Sequence, residues 1–320
     1  MIYTIKNTQS LFYQNYFLIY MNVKISIIGL GFVGQSMYDS FKNKGFLPNM
    51  NLFGFDIAKP SHTFTRCLSA NVIFLALPTH YNHAFGQYDK FAITETCKKL
   101  VEHQYHGVIV IKSTVEPGTT DKLAESFPSL NFVHNPEFLT ARTAYHDFHH
   151  QEHVVLGKAN NCKDEWIELL VTLYSTHYTD NITIGTAMES ESMKSFVNSF
   201  YSVKVQFFTE LYLLCQNTNC NYEVVKTMML KNNWINPQHT TVPGPDGNVS
   251  YGGLCFPKDT NALMQHMKRN NSPHGVLEAT IVERNSMRED HDNCDADLAN
   301  DDDGDGDGDG DGDGDGDGDV

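Results

Sequence analysis

The stretch "GGLCFPKD" at 252–259 sets one cysteine between a glycine pair and a lysine–aspartate pair. A cysteine can pack as a small apolar residue or act as a nucleophile. The glycines permit close approach of backbone or ligand. Lys258 is a nearby cation that favours thiolate, and Asp259 is placed to open a helix whose N-terminus would do the same. Local chemistry leaves a reactive and a packed Cys255 both open.

A second constellation, "GLGFVG" at 29–34, fits G-x-G-x-x-G. An apolar strand pattern precedes it, a helical pattern follows, and Asp56 closes the next apolar run, "NLFGFD". In a dinucleotide fold Gly29 makes the tight turn, Gly31 lets backbone approach a pyrophosphate, and Gly34 lets helix pack on strand. The diphosphate would sit at the positive end of the helix beginning near Phe32. Asp56 would accept from both ribose hydroxyls and repel a 2′-phosphate, and no arginine follows it, so NAD is favoured over NADP. The alternative is a purely structural glycine turn.

Other polar pairs are weaker by themselves. Lys194 and Asn198 in "KSFVN" share a helix face, which alone reads as solvated surface. The histidines of "HDFHHQEH" (His146, His149, His150, His153) fall at ligand-like spacings but read as surface or phosphate-neighbouring rather than metal-binding.

The elements that must position these groups follow from periodicity. Residues 23–45 read as strand, glycine turn and amphipathic helix. Apolar runs at 51–56, 70–78 and 106–114 read as strands covered on both faces, with a helix at 89–104 and further strands at 130–134 and 153–157. Strands alternating with helices indicate an α/β fold, a doubly wound Rossmann-type parallel sheet. The pattern then turns helical. From Gly185 to Asn217 there is no proline and no internal glycine, which predicts one long central helix of about 45 Å. Helices are also predicted at 163–176, 221–231 and 259–269. The turn-rich loop 236–253 delivers Cys255.

The divisions are therefore an N-terminal extension (1–20), a dinucleotide-binding domain (21–185), a helical domain (186–289) and an acidic Asp-Gly tail (290–320). Of 39 acidic residues, 15 lie in 290–320, where no Lys or Arg occurs; the remainder carries 24 acids against 23 bases. The near-neutral body offers no charge-based case for nucleic acid or membrane. The tail has nothing to bury and repels itself, so disorder is expected. Seven cysteines, odd in number and without a C-x-x-C pair, suit a reducing compartment. No signal peptide or membrane span is read, and a cytoplasmic location is expected.

Several segments in order, "KISIIGLGFVG", "VIFLALPT", "IKSTVEPGTT", "HNPEFLTARTA", "ESMKSFVNSFYSVKVQFFTEL" and "GGLCFPKDTNAL", resemble the nucleotide-sugar dehydrogenases. That family oxidises a sugar C6 alcohol to an acid with two NAD molecules. The resemblance implies that Cys255 is the nucleophile, that Lys194 and Asn198 are donors to a developing oxyanion, and that Asp259 organises a water or the lysine. It implies a place at the nicotinamide end of the sheet for Thr114, with helix capping as the alternative, and acid–base work for Glu137. Gly29, Gly31, Phe32, Val33, Gly34, Asp56, Thr79 and Lys258 form the implied cofactor set, with no metal.

The likeness to UDP-glucose 6-dehydrogenases is greatest, so UDP-glucose to UDP-glucuronate is the expected reaction. GDP-mannose or UDP-N-acetylhexosamine oxidation, a two-electron hydroxyacid dehydrogenase, or an impaired nucleotide-sugar-binding protein are the alternatives. A homodimer through the long helix, 186–217, is implied. Two departures stand out: Ala141 replaces a second glutamate usual in "NPEFLxE", and 276–290 runs into the acidic tail with no room for the family's third domain.

Overall fold

The computed structural model describes residues 23–290 apart from residue 60. The N-terminal extension and the tail beyond Asp290 lie outside the described residues. Strands β1 (Ile25–Ile28), β2 (Leu52–Phe55), β3 (Val72–Leu75), β6 (Val108–Ile111) and β7 (Asn131–His134) run parallel, while β8 (Val154–Lys158) is antiparallel to β7 and parallel to β9 (Ile182–Thr186). The sheet order is β2-β1-β3-β6-β7-β8-β9. The strand order reverses between β1 and β3, the switch point where doubly wound sheets bind ligands beyond their carboxyl ends.

The central strands are almost continuous Val, Ile, Leu and Phe because both faces are covered, the one polar member, Ser26, being buried with its hydroxyl donating to the Cys67 carbonyl (2.9 Å). Covering helices are α1 (Phe32–Asn43), the short α2 (Phe64–Cys67), α3 (Phe91–Glu102), α4 (Thr119–Ser126), α5 (Ala144–His149) and α6 (Asp164–His177). Phe41, Phe74, Phe132, Phe148 and Tyr174 fill the main core. A two-stranded hairpin, β4 (Tyr81–Asn82) with β5 (Gln87–Tyr88), stands outside the sheet. Neither the hairpin nor β9 was evident from residue pattern. The hairpin has only two residues a side, and β9 is a partly exposed edge strand without clean alternation.

The long helix α7 spans Ala187–Asn217. Its start is fixed by a capping box: the Thr186 hydroxyl accepts from the Glu189 N–H, and the Glu189 carboxylate accepts from the Thr186 N–H. Behind it follow α8 (Tyr222–Leu230), α9 (Phe256–Arg269) and α10 (Gly275–Met287). Helix α9 begins three residues earlier than periodicity predicts, with Pro257 in its first turn, where a missing N–H costs nothing. Asp290, read as the first residue of the tail, is instead tied to Arg284 (2.5 Å) and Arg288 (2.8 Å). No helix among the described residues is long and apolar enough to cross a membrane.

Candidate active site

The glycine turn sits at the switch point. Gly29 has φ +92°, and a Cβ there would lie 2.3 Å from the Ala76 carbonyl oxygen at the end of β3. At Gly34 a Cβ would meet the Gly29 carbonyl oxygen at 1.8 Å, so only glycine lets α1 start so close under the turn. Gly31 differs: a Cβ there would meet no protein atom within 4 Å, so the space in front of it is open. Helix α1 has Gly31 as its N-cap, with no side-chain cap and no acid in its first turn, which leaves its N–H groups available to an anion. Phe32 is exposed at this edge, and Val33 packs on the core.

Asp56 ends β2 beside the same turn. Its carboxylate accepts from the Leu30 N–H (2.7 Å) and the Ala58 N–H (2.8 Å), while Lys59 donates to the Leu30 carbonyl (2.9 Å). Across the switch point the Thr79 hydroxyl donates to the Thr114 carbonyl (2.8 Å), joining the loops after β3 and β6. Thr114 does not cap α4. The N-cap there is Gly118, and the buried Glu191 of α7 accepts from the N–H groups of Gly118 (2.6 Å) and Thr120 (2.7 Å). An open glycine turn, uncapped N–H groups and a carboxylate at the next strand end fit a dinucleotide with free ribose hydroxyls.

Cys255 lies, half-buried, at the N-cap position of α9, the helix that packs against α7. One turn on, Asp259 is 1% exposed and accepts from the Asn198 amide (2.6 Å), Lys258 (2.6 Å) and the Tyr88 hydroxyl (2.5 Å). It is therefore no N-cap. Its charge is matched by Lys258, whose ammonium lies 4.8 Å above the Tyr88 ring. The ion pair and its hydrogen bonds hold the Asp259 carboxyl below its ordinary range despite burial. Lys194, one turn before Asn198 on α7, pairs with Glu137 at 3.1 Å, both groups buried. Cys255, Lys258, Asp259, Asn198, Lys194 and Glu137 are thereby electrostatically coupled, although they come from three separated segments.

Lys258 acts on Cys255 in the expected direction, but a larger effect opposes it. Burial pushes the Cys255 thiol up; the Lys258 ammonium pulls it back, but Asp259 beside that ammonium pushes it up again. Lys258 thus favours the thiolate more than Asp259 opposes it, and it is burial that outweighs the cation. The glycines before the cysteine also divide their work. A Cβ on Gly252 would lie 2.4 Å from the Arg288 guanidinium, so the close approach is by protein, whereas Gly253 has φ +76° and open space. Arg288 in turn grips Asp246 (2.6 Å) and the Val249 carbonyl (3.2 Å), bracing the loop that delivers Cys255.

Residue patterns did not reveal Tyr88 or Lys112. Lys112 ends β6 fully buried, donating to the Asn135 side chain (3.1 Å) and the Pro136 carbonyl (3.2 Å) just ahead of Glu137. Burial pulls its ammonium down to about 7. It lines, with Glu137, Phe138 and His150, a cavity of about 410 Å³ that opens beside the Glu137–Lys194 pair.

The histidine cluster forms part of that rim, and its members have local partners. His149 meets the Ser40 hydroxyl (3.0 Å), His150 the His146 carbonyl (3.1 Å) and His153 the Thr183 hydroxyl (2.9 Å). Among the described residues no cluster gathers three metal-ligating side chains.

Comparison with known proteins bears on the two domains that carry this site. Residues 54–178 match the model of the UDP-glucose/GDP-mannose dehydrogenase family, NAD binding domain, and residues 188–286 match the central domain of the same family. UDP-glucose 6-dehydrogenase YwqF of Bacillus subtilis is 29% identical over 68% of this chain and 49% of its own length. TuaD of the same organism, also a UDP-glucose 6-dehydrogenase, is 27% identical over 84% of this chain and 64% of its own. In fold, a UDP-glucose dehydrogenase from Pyrobaculum islandicum superposes with TM-score 0.70 at 19% identity, covering 83% of this chain and 68% of that one. The chain spans about half to two thirds of the length of these curated relatives. The two matched domains follow one another in the order of the sheet and the long helix, and on them the chain belongs to the UDP-glucose/GDP-mannose dehydrogenase family.

Proposed function

We propose that this chain carries out NAD-dependent, four-electron oxidation of a nucleotide sugar at C6, with UDP-glucose as substrate and UDP-glucuronate as product. The observation that carries the reading is that two buried ion pairs from three separated segments, Lys258–Asp259 and Lys194–Glu137, both act on the charge of the Cys255 thiol. Residues 29–34 and Asp56 would hold NAD, which when bound would supply a hydride acceptor for each of the two oxidations. Residues 21–185 form the cofactor domain in this reading, and 186–289 the domain that presents the thiol.

The chain's own residues divide the work. Asn198 and Lys194, one turn apart on α7, present an amide and an ammonium to oxygen that gains negative charge as C6 is oxidised. Cys255 adds to the aldehyde carbon, so that the aldehyde stays in the site as a thiohemiacetal while the cofactor exchanges. The thiol proton ends on the aldehyde oxygen as the hydroxyl of the thiohemiacetal. Loss of the second hydride leaves a thioester, and water cleaves it to the acid and the free thiol. Glu137 is the carboxylate placed to activate that water, with the adjoining cavity giving solvent access. Ala141 stands where a second carboxylate would share this task, so hydrolysis is the slow step.

Two copies pair through α7 in this reading. Phe196, Phe200, Phe207 and Leu214 form an exposed apolar stripe along one face, three of them seven residues apart. A cytoplasmic setting suits an enzyme whose nucleophile must stay reduced. The substrate assignment is tested by NADH formation from UDP-glucose, GDP-mannose and UDP-N-acetylglucosamine in parallel. UDP-glucose is expected to turn over fastest, and preference for either other sugar reassigns the substrate.

A further inference from the structure

The end of α7 holds two cysteines whose placement follows from the backbone. Thr218 is the C-cap, Asn219 is left-handed at φ +54°, the Cys220 N–H donates to the Cys215 carbonyl (2.8 Å), and the Asn219 N–H points back to the Gln216 carbonyl (3.4 Å). These six-to-one and five-to-two bonds define a Schellman termination, which sets the side chain after the left-handed residue against the side chain of the last full turn. That contact is usually between two apolar residues. Here the two positions are both cysteines, Cys215 buried and Cys220 exposed.

We propose that Cys215 and Cys220 are a modification site, a dithiol that closes to a reversible intramolecular disulfide. The two residues differ in the access an oxidant needs. Cys215 packs against Phe208, Tyr222 and Val242, whereas Cys220 meets solvent. With hydrogen peroxide as oxidant, the Cys220 thiolate takes one oxygen, becomes a sulfenic acid and releases hydroxide. The Cys215 sulfur then attacks the Cys220 sulfur and expels that oxygen as water once protons are counted. Two thiols lose two electrons, and one peroxide becomes two waters. A thiol reductant reverses the step by exchange.

The bond would tie the last turn of α7 to the start of α8. Tyr222 of α8 donates to the Thr240 carbonyl (2.6 Å), at the root of the loop that carries Cys255. The site is distinct from the Cys255 centre and does not depend on the activity proposed above. Cys67, Cys97 and Cys162 are buried, with burial pushing their thiols to about 11, 12 and 11, so they are poorly placed to react first.

Trypsin releases 205–226 as one peptide containing both cysteines and no internal Lys or Arg. The full chain, treated with hydrogen peroxide, unfolded and alkylated with N-ethylmaleimide, is expected to give that peptide unalkylated and two hydrogens lighter. Reduction with dithiothreitol before alkylation should return it to the doubly alkylated form. A Cys220→Ser chain, altered only at an exposed position, should give the peptide alkylated once, at Cys215. Double alkylation after oxidation would overturn the proposal, as would Cys220 driven to sulfinic acid while Cys215 still alkylates.

Discussion

At Cys255 two effects compete, and burial outweighs the cation. The thiol lies above its ordinary range because desolvation is the largest effect, and the lowering by Lys258 is partly offset by Asp259 beside it. Alkylation of Cys255 by iodoacetamide should therefore accelerate with pH to a midpoint above the ordinary thiol range, and Asp259→Asn should lower that midpoint by removing a charge that raises it. A wild-type midpoint below about 7, as at strongly activated thiols, would contradict this balance. Lys112 gives a second test at the same scale. Its folded value, about 7, is depressed from 10.5, so between these values the unfolded chain binds the extra proton. Stability from this group is complete above the unfolded value and is lost as pH falls through about 7. Lys112→Met should flatten the rise in urea midpoint between those pH values; an unchanged slope would show that Lys112 does not cause it. Cys255, Asp259, Lys194 and Glu137 came into view together only through the ordered segments that carry the family resemblance, since Lys194 by spacing alone reads as solvated surface and is in fact buried. Tyr88 and Lys112 did not come into view, because their roles exist only once a hairpin and a strand end meet distant segments.

Helix α7 connects the two halves of the site. Glu191 reaches back to the start of α4, Lys194 to Glu137 and Asn198 to Asp259, successive turns of one helix facing three different segments. Its length was legible from the absence of proline and glycine, and its start is locked by the Thr186–Glu189 box. Thr186→Ala should cost about 1 kcal/mol in denaturant unfolding, the usual worth of such a cap. No measurable change would mean that packing alone sets the helix start. Elements that sequence reading missed share a physical reason. The β4–β5 hairpin and edge strand β9 are held by neighbours rather than by their own pattern, and Arg288 fastens the Cys255 loop only through tertiary contacts.

Over the whole molecule, the sheet was readable because buried parallel strands are continuous apolar runs and the glycine turn marks the switch point. The proposed dimer rests on what the fold leaves uncovered among the described residues. Phe200 is 61% and Phe207 51% exposed on the α7 stripe, an unfavourable surface for a lone chain. Sedimentation should find a dimer in which Phe200→Glu with Phe207→Glu gives monomers; a monomeric parent chain would remove the stripe's assigned role. The central claim is that one thiol carries the sugar through both oxidations. The direct measurement is NADH formed per limiting UDP-glucose, in the parent chain and in Cys255→Ser. The account predicts two NADH per sugar for the parent, in a burst followed by a slower phase set by hydrolysis, and loss of that yield in the variant. One NADH per sugar in the parent, or two in Cys255→Ser, would contradict it.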